Sequence, residues 1–287
     1  MTIVNSAAPT TTRTWQGASR LVKPSQIHRS GAWYVAEYRL RNLSKWWAAV
    51  LAFGLGNPVL YLASVGFGIG ALVNRHGAHA TPDHVAYLTF LAPALLATAA
   101  IQGTQDEVTF PIMHGLKWER VFYGISATAI TPKQIAQGVM ITAVIRSVFT
   151  AGIYWLVLWI AGAFTSANAF LAMPAAMIAG VSFACVMLAL TVKFIDSQMF
   201  LSVIGRFVLT PLFMFSGTFF PLDSMPLAAR WLGWISPLWH ATNLGRFLTY
   251  GKSVTGWLLI THVVYLLVLG FVCFTIGSRM LTKKMSS

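Results

Sequence analysis

The stretch SVFTAGIYWLVLWIAGAFTSANAFLAMPAAMIAGVSFACVMLALTV, residues 147–192, carries no charged side chain from end to end. One membrane-crossing helix needs about 20 predominantly apolar residues, and this run is more than twice that length. It is interrupted at Thr165-Ser166-Ala167-Asn168, a composition that favours a turn. The stretch therefore reads as two crossings joined by a short connection, one at about 135–163 and the next at about 169–192.

The rest of the chain has the same character. Of its 287 residues, 56% are hydrophobic and 9% charged, where a soluble domain carries roughly 25% charged residues. A water-soluble globule of this length could not hide so much apolar surface, which makes the fold class an all-α, polytopic membrane protein. Charge-free runs place the other spans at about 46–73, 85–104, 200–220 and 255–278, giving six transmembrane helices. An even number puts both termini on one side. Arg39, Arg41, Lys45, Lys117, Arg120, Lys133, Lys193, Lys283 and Lys284 all fall on that side, whereas the opposite loops hold Arg75, Arg230, Arg246 and Lys252. Positive residues concentrate in the cytoplasm, so the termini are expected there. The net charge of +13 follows from the same asymmetry and implies no nucleic-acid partner. Residues 1–28 are basic, rich in Ser, Thr and Ala, and lack the apolar core of a secretory signal. They read as a disordered cytoplasmic tail before a transmembrane domain at 29–284.

Two segments depart from simple crossings. From residue 31 onward, Trp33, Ala36, Leu40, Leu43 and Trp47 recur at steps of three and four, while Glu37, Arg41 and Lys45 mark another face of a helix over 31–45. This pattern predicts a helix lying in the membrane interface ahead of the first span. Past Pro221, Leu227, Trp231, Trp234 and Leu238 form a helical stripe with tryptophans suited to the headgroup level. That predicts short, broken, re-entrant half-helices at the outer face. An ordinary amphipathic surface loop is the alternative.

Familiar chemical motifs are weak. Gly251-Lys252-Ser253 resembles the end of a phosphate-binding loop, but the required glycine position holds Arg246. His76, His79, Asp83 and His84 cluster in a flexible loop without a compelling metal-ligand spacing. Cys185 and Cys273 lie in apolar runs. None of the proposed spans contains Asp or Glu, which argues against an ion-coupled carrier. Arg146 and Arg206 lie close enough to a membrane face to snorkel, and contact with an anionic headgroup is the alternative. His240 and His262 have no carboxylate near them in sequence, and no catalytic or metal-ligating set emerges.

Against this background GTQDEVTFPIMHGLKWERVFYG, residues 103–124, stands out, with three of the seven acidic residues. Phe110, Met113 and Leu116 share one spacing, and His114, Lys117 and Arg120 share it on an adjacent face. Asp106 and Glu107 suit a helix N-terminus. A short cytoplasmic helix over 106–122, apolar on one side and charged on another, is expected to dock on something. The alternative is a solvated loop. Thr131-Pro132 then favours a break before the next helix.

At these residues the chain resembles the type-2 ABC transporter permeases, and within them the nodulation-factor (lipo-oligosaccharide) export permease group. The resemblance is carried by FLAPALLATAAIQGTQDEVTF at 90–110, ISATAITPKQIAQG at 125–138, PLFMFSGTFFPLDSMP at 211–226 and ISPLWHATNLGRF at 235–247. The family often follows its Thr-Pro pair with a Gly-Glu dipeptide, whereas here Gly138 precedes Val139. The resemblance implies a multi-pass permease subunit of the cell (inner or plasma) membrane, working as a homodimer or beside a similar subunit. A separate cytoplasmic ATPase subunit would bind ATP and Mg, leaving this chain no cofactor and no enzymatic activity of its own. Asp106, Glu107, Phe110, His114, Lys117, Glu119 and Arg120 would form the ATPase-coupling element. Phe215, Gly217, Phe219, Phe220, Pro221, Trp231 and Trp234 would line the outer exit. The implied cargo is a lipid-linked sugar, a lipo-oligosaccharide or a similar amphiphile moved out of the cytoplasm. A drug or antibiotic efflux permease of the same family is an alternative. So is a membrane-embedded transferase, which would need a carboxylate or histidine pair at one membrane face.

Overall fold

The computed structural model describes residues 24–46, 83–197, 209–219 and 222–286, with scattered positions between 48 and 68 and at 203 and 207. The proposed span at 46–73, the first part of the span at 200–220 and the tail through residue 23 lie largely outside the described residues. Among the described residues the secondary structure is helical throughout and contains no strand.

The helices are α1 (Pro24–Leu43), α2 (Tyr87–Met113), α3 (Val121–Ser126), α4 (Pro132–Ile160), α5 (Ala172–Lys193), α6 (Leu209–Phe215), α7 (Leu227–Ile235), α8 (Pro237–Tyr250) and α9 (Gly256–Ser286). Four helical segments are long and apolar enough to cross a membrane: Tyr87–Trp118, Pro132–Ile160, Ala167–Lys193 and Gly256–Ser286. The hairpin of residues 147–192 is present. Gly162 adopts φ 69°, a left-handed conformation that closes α4, and a 3-10 turn at Ala167–Leu171 leads into α5. The connection is pinned by Thr165 and Ser166, whose backbone N–H groups donate to the Thr249 carbonyl at 3.1 and 2.9 Å.

Helix α2 forms the centre, packed against α4, α5 and α8, while α9 lies along α5 and α1 along α4. Lipid tails are as apolar as leucine, so close backbone contact and interhelical hydrogen bonds have to hold membrane helices together. A Cβ on Gly180 would lie 2.8 Å from the Ala100 carbonyl oxygen, so only glycine allows α5 to approach α2 this closely. At the same level the Thr104 hydroxyl donates to the Gly180 carbonyl at 2.8 Å. Across the other face of α5, the Ser182 hydroxyl donates to the Leu266 carbonyl of α9 at 2.6 Å.

Helix α4 starts where Thr131-Pro132 predicts. Thr131 is extended, its hydroxyl accepts from the Gln134 N–H at 3.3 Å, and the Gln134 side chain accepts from the Thr131 N–H at 2.9 Å. This reciprocal pair satisfies two N-terminal donors, and Pro132 at the first helical position wastes none.

The structure corrects the expectation around residue 104. Helix α2 continues through Asp106 and Glu107 to Met113 and runs on as a wider π-helical turn, His114–Trp118. The break comes at Arg120, with φ 55°. The separate helix expected at 106–122 is therefore two pieces: the end of α2 and the short α3. Charge at 106–107 had marked the end of the span, but Glu107 is neutralised inside the fold and need not reach water.

Candidate functional site

Most of the charge lies at one end of the bundle, formed by α1, the C-terminal ends of α2, α5 and α9, and the N-terminal end of α4. We call it the basic end. Glu107 is 5% exposed there. The Arg39 guanidinium from α1 donates to its Oε1, and Arg146 Nη1 from α4 lies 3.4 Å from its Oε2. Pro111 explains a further contact. It has no N–H to bond the carbonyl four residues back, which belongs to Glu107. Arg39 Nη2 fills that vacancy, donating to the Glu107 carbonyl oxygen at 2.9 Å. Arg39 thus reads both the backbone and the carboxylate of one residue, joining α1 to α2, while Arg146 joins α4. A coupling role for Glu107 at the surface is corrected accordingly: it is an interior joint. Snorkelling of Arg146 is corrected for the same reason, since its charge turns inward to a carboxylate.

The other residues expected to dock stay near the surface. Asp106 is exposed, and Phe110 is 58% exposed. His114 Nε2 lies 3.1 Å from Glu119 Oε1. Lys117 Nζ donates to the Asp196 carbonyl at 2.9 Å, and Asp196 Oδ2 accepts from Lys284 Nζ at 2.9 Å. That hydrogen bond, with the Lys284 charge, holds the Asp196 carboxyl below its ordinary value. These contacts bring the turn after α2, the turn after α5 and the end of α9 around a cleft of 540 Å³ that Arg120 and Tyr123 also line. Sequence spacing gave no sign that Asp196 or Lys284 belonged here.

On α1, Trp33 is exposed, as a membrane-facing stripe requires, but the side packed on the bundle is Gly31, Val35, Ala36 and Arg39. A Cβ on Gly138 would lie 2.6 Å from the Val35 Cβ, so α1 rests directly on the start of α4. Gly138 and Val139 therefore face the interior, away from any docking surface. Arg39 was missed as a site residue because an arginine between Tyr38 and Leu40 on an interfacial helix looks solvated. Pro111 inside an otherwise helical run was the available signal that some donor must serve the Glu107 carbonyl.

At the opposite end the backbone is broken into short pieces: a 3-10 turn at Leu222–Ser224, the nine-residue α7, then α8. Irregular backbone leaves carbonyls without helical partners, and long side chains supply the donors. Arg246, 2% exposed, donates to the Gly217 carbonyl at 2.7 Å and stacks over Phe90 at 4.0 Å. Gly217 takes φ 72°, which turns the chain at the end of α6. Arg230 donates to the carbonyls of Met225, at 2.8 Å, and Asp223. The Tyr265 hydroxyl donates to the Ile235 carbonyl. Of the expected exit residues, Phe215 is 39% exposed, and Phe219 packs edge-on against Phe213 at 5.2 Å. Trp231 and Trp234 form an exposed edge-to-face pair at 5.3 Å. Phe220 and Pro221 lie outside the described residues.

Two pairings at this end were not foreseen. Asp83 accepts from the Tyr250 hydroxyl at 2.6 Å and lies 3.1 Å from Lys252 Nζ. Burial alone would raise the Asp83 pKa, but the hydrogen bonds from Tyr250 and Lys252 outweigh it and leave the carboxyl below its ordinary value. His76 and His79 lie outside the described residues, among which no group of three or more candidate metal ligands occurs. His240 and His262 meet through their Nδ1 atoms at 2.7 Å, and His240 Nε2 lies 2.9 Å from the Trp234 carbonyl. A carbonyl only accepts, so His240 Nε2 carries a proton, and with His240 neutral His262 donates through Nδ1. Tyr265 stacks on His240 at 4.0 Å, and both imidazoles are buried. Both His240 nitrogens are occupied in holding α7, α8 and α9 together.

Comparison with known proteins bears on this arrangement. The family model described as "ABC-2 type transporter" matches residues 33–250. Nodulation protein J of Rhizobium leguminosarum bv. viciae is 28% identical over 249 residues, 85% of this chain and 92% of that protein. Nodulation protein J of Rhizobium meliloti (strain 1021) is 26% identical over 224 residues, 77% of this chain and 82% of that protein. The protein of the same name from Sinorhizobium fredii (strain NBRC 101917 / NGR234) is 28% identical over 216 residues, 74% of this chain and 79% of that protein.

Proposed function

The chain belongs to the ABC-2 type transporter family, and on that footing we propose that it is the membrane subunit of an ATP-driven exporter whose energy comes from a separate cytoplasmic ATPase. The cargo in this reading is a lipid-linked sugar, a lipo-oligosaccharide or a similar amphiphile, and the working unit contains two permease copies. One observation carries the reading. At the basic end, the turn between α2 and α3 presents Trp118, Glu119 and Arg120 to the outside, beside exposed Phe110. An apolar and charged ridge on a short connection has the composition of a transient protein contact.

The structure also selects the residues that can test it. Glu107 is a poor choice, because reversing its charge would damage the interior. Arg120→Glu changes the rim of the cleft, and Lys117→Glu also removes the exposed bond to the Asp196 carbonyl. In the reconstituted complex both are expected to abolish cargo-stimulated ATP hydrolysis while leaving membrane insertion intact, and Arg120→Glu should leave the melting temperature unchanged as well. Normal stimulated hydrolysis in both variants would sink the docking assignment.

A further inference from the structure

We propose that the cleft between α1 and the basic end of α2 binds the anionic phosphate headgroup of a lipid in the adjoining leaflet. The cleft has a volume of 230 Å³, and its lining includes Tyr38, Arg39, Asn42, Glu107, Phe110, His114 and Trp118.

The first argument is electrostatic. Arg39 and Arg146 share the single carboxylate of Glu107, whose two oxygens are both engaged. Asp106, the next carboxylate along α2, is turned about 100° around the helix from Glu107 and is exposed. It tempers the local charge but is not part of the cleft lining.

The second argument is the hydrogen-bond inventory. Arg39 Nε and Arg146 Nε are buried without a hydrogen-bond partner among the described residues, as are Gln105 Oε1, Thr109 Oγ1 and Ser147 Oγ. Buried polar groups in folded proteins are almost always paired. Five unpaired atoms sit within two residues of Glu107 or on the two arginine-bearing helices beside it, so this joint is short of partners. Four of the five, the two guanidinium N–H groups and the two hydroxyls, are donors. Of these residues Arg39 lines the cleft, so an acceptor oxygen seated there answers the shortage at Arg39 Nε, and guanidinium geometry suits phosphate. Arg39 is 8% exposed and forms part of the cleft wall, so its charge is held at a desolvated surface.

The third argument is the rim. Tyr38, Phe110 and Trp118 are 50%, 58% and 47% exposed. Aromatic side chains of this kind favour the level where headgroup meets acyl chain. A charged floor below an aromatic rim matches a phosphate attached to an apolar body better than a free ion. The inference rests on the membrane-protein reading alone and needs no ATPase.

Asn42 gives the test. It is exposed, one turn beyond Arg39, and lines the cleft. Asn42→Asp keeps the size of the side chain, Asn42→Lys lengthens it, and the two introduce opposite charges. The full chain in a neutral detergent would be titrated with phosphatidylglycerol, phosphatidylcholine or inorganic phosphate, and bound species counted by native mass spectrometry. Phosphatidylglycerol is expected to bind about tenfold more tightly than phosphatidylcholine, as one charge-assisted contact allows. Asn42→Asp should lose that preference, and Asn42→Lys should keep or increase it. Equal binding of the two lipids overturns the proposal, as do Asp and Lys variants that behave alike. Inorganic phosphate binding as tightly as phosphatidylglycerol overturns the lipid assignment and leaves a soluble-anion site. Melting temperatures of the two variants identify any loss of binding caused by misfolding.

Discussion

The two ends of the bundle solve opposite problems with the same side chain. At the basic end the helices are continuous, and the difficulty is a carboxylate, Glu107, that the fold has swallowed. At the other end there is little acid, and the difficulty is broken backbone whose carbonyls need donors. Arginine serves both. Arg39 and Arg146 neutralise Glu107, while Arg246 and Arg230 donate to the carbonyls of Gly217, Met225 and Asp223. The guanidinium is the common answer because it stays charged, carries five donors and is less strongly hydrated than an ammonium. An arginine near a membrane face is therefore no proof of snorkelling. Its meaning depends on whether a carboxylate or an orphaned carbonyl lies within reach.

The comparison breaks most sharply at Glu107. Glu107→Ala strands two guanidiniums in the interior. Breaking a buried pair by removing one partner costs about 3–5 kcal/mol, so the variant should accumulate poorly and melt far below the parent in detergent. Arg39→Leu should cost less, because Arg146 still faces the carboxylate. If Glu107 were an exposed docking residue, Glu107→Ala would cost only about 0–1 kcal/mol and reduce ATPase coupling alone. Melting curves of the two variants, recorded beside stimulated hydrolysis, separate the two accounts.

The next effect belongs to the other end. Arg246→Met keeps most of the side-chain volume, removes the donor to the Gly217 carbonyl and ends the stacking over Phe90. An unpaired buried carbonyl costs about 1–3 kcal/mol, and the cation–π contact adds about 1 kcal/mol. Removal of a buried cation offsets part of this, leaving an expected loss of about 2 kcal/mol. Arg230→Met should cost less, since Arg230 is only partly buried. Equal losses for both, measured by thermal melting, would mean that carbonyl capping at Gly217 is not what holds this end.

How much of this could be read from the sequence follows the same division. The helical class and the hairpin at 147–192 were legible because they rest on runs of apolar residues and on a turn. The start of α4 was legible because Thr131-Pro132 and Gln134 act locally. The end of α2 was not, since its course depends on Arg39, 68 residues away. A reading that treats every charge as solvated ends the helix at the first carboxylate. The meeting of His240 with His262, and of Asp83 with Tyr250, was hidden for the same reason: each joins side chains that no helical period relates. In the expected coupling element, the residues set by the local break at Arg120 stay at the surface. The one captured by a distant arginine does not.

A smaller effect sharpens the local side of that division. Thr131→Ala removes one half of the reciprocal cap on α4 and should cost about 1 kcal/mol. Gln134→Ala should cost a comparable amount, and the double variant less than the sum, because each residue completes the other's bond. Additive losses would mean that the two side chains act independently and that α4 owes its start to Pro132.

The smallest effect is one of pH, and it compares the ends directly. Asp83 and Asp196 stand at opposite ends, and both carboxyls lie below their ordinary value of 3.8. A depressed folded-state pKa gives a contribution that is complete above the unfolded value and is lost as pH falls through the folded one. Neither pair should therefore respond between pH 7 and pH 5, and both should weaken only below about pH 4. The Asp83 pair should matter more, because it is partly buried with Tyr250, whereas Asp196 is exposed and its pair with Lys284 is screened by salt. Melting temperature followed from pH 7 to pH 3.5 should stay level and then drop, and Asp83→Asn should flatten the drop more than Asp196→Asn. A decline already present between pH 7 and pH 5.5 would shift the titrating role from these carboxylates to a histidine. The first variant to examine would then be His262→Gln, which separates α8 from α9 without touching either aspartate.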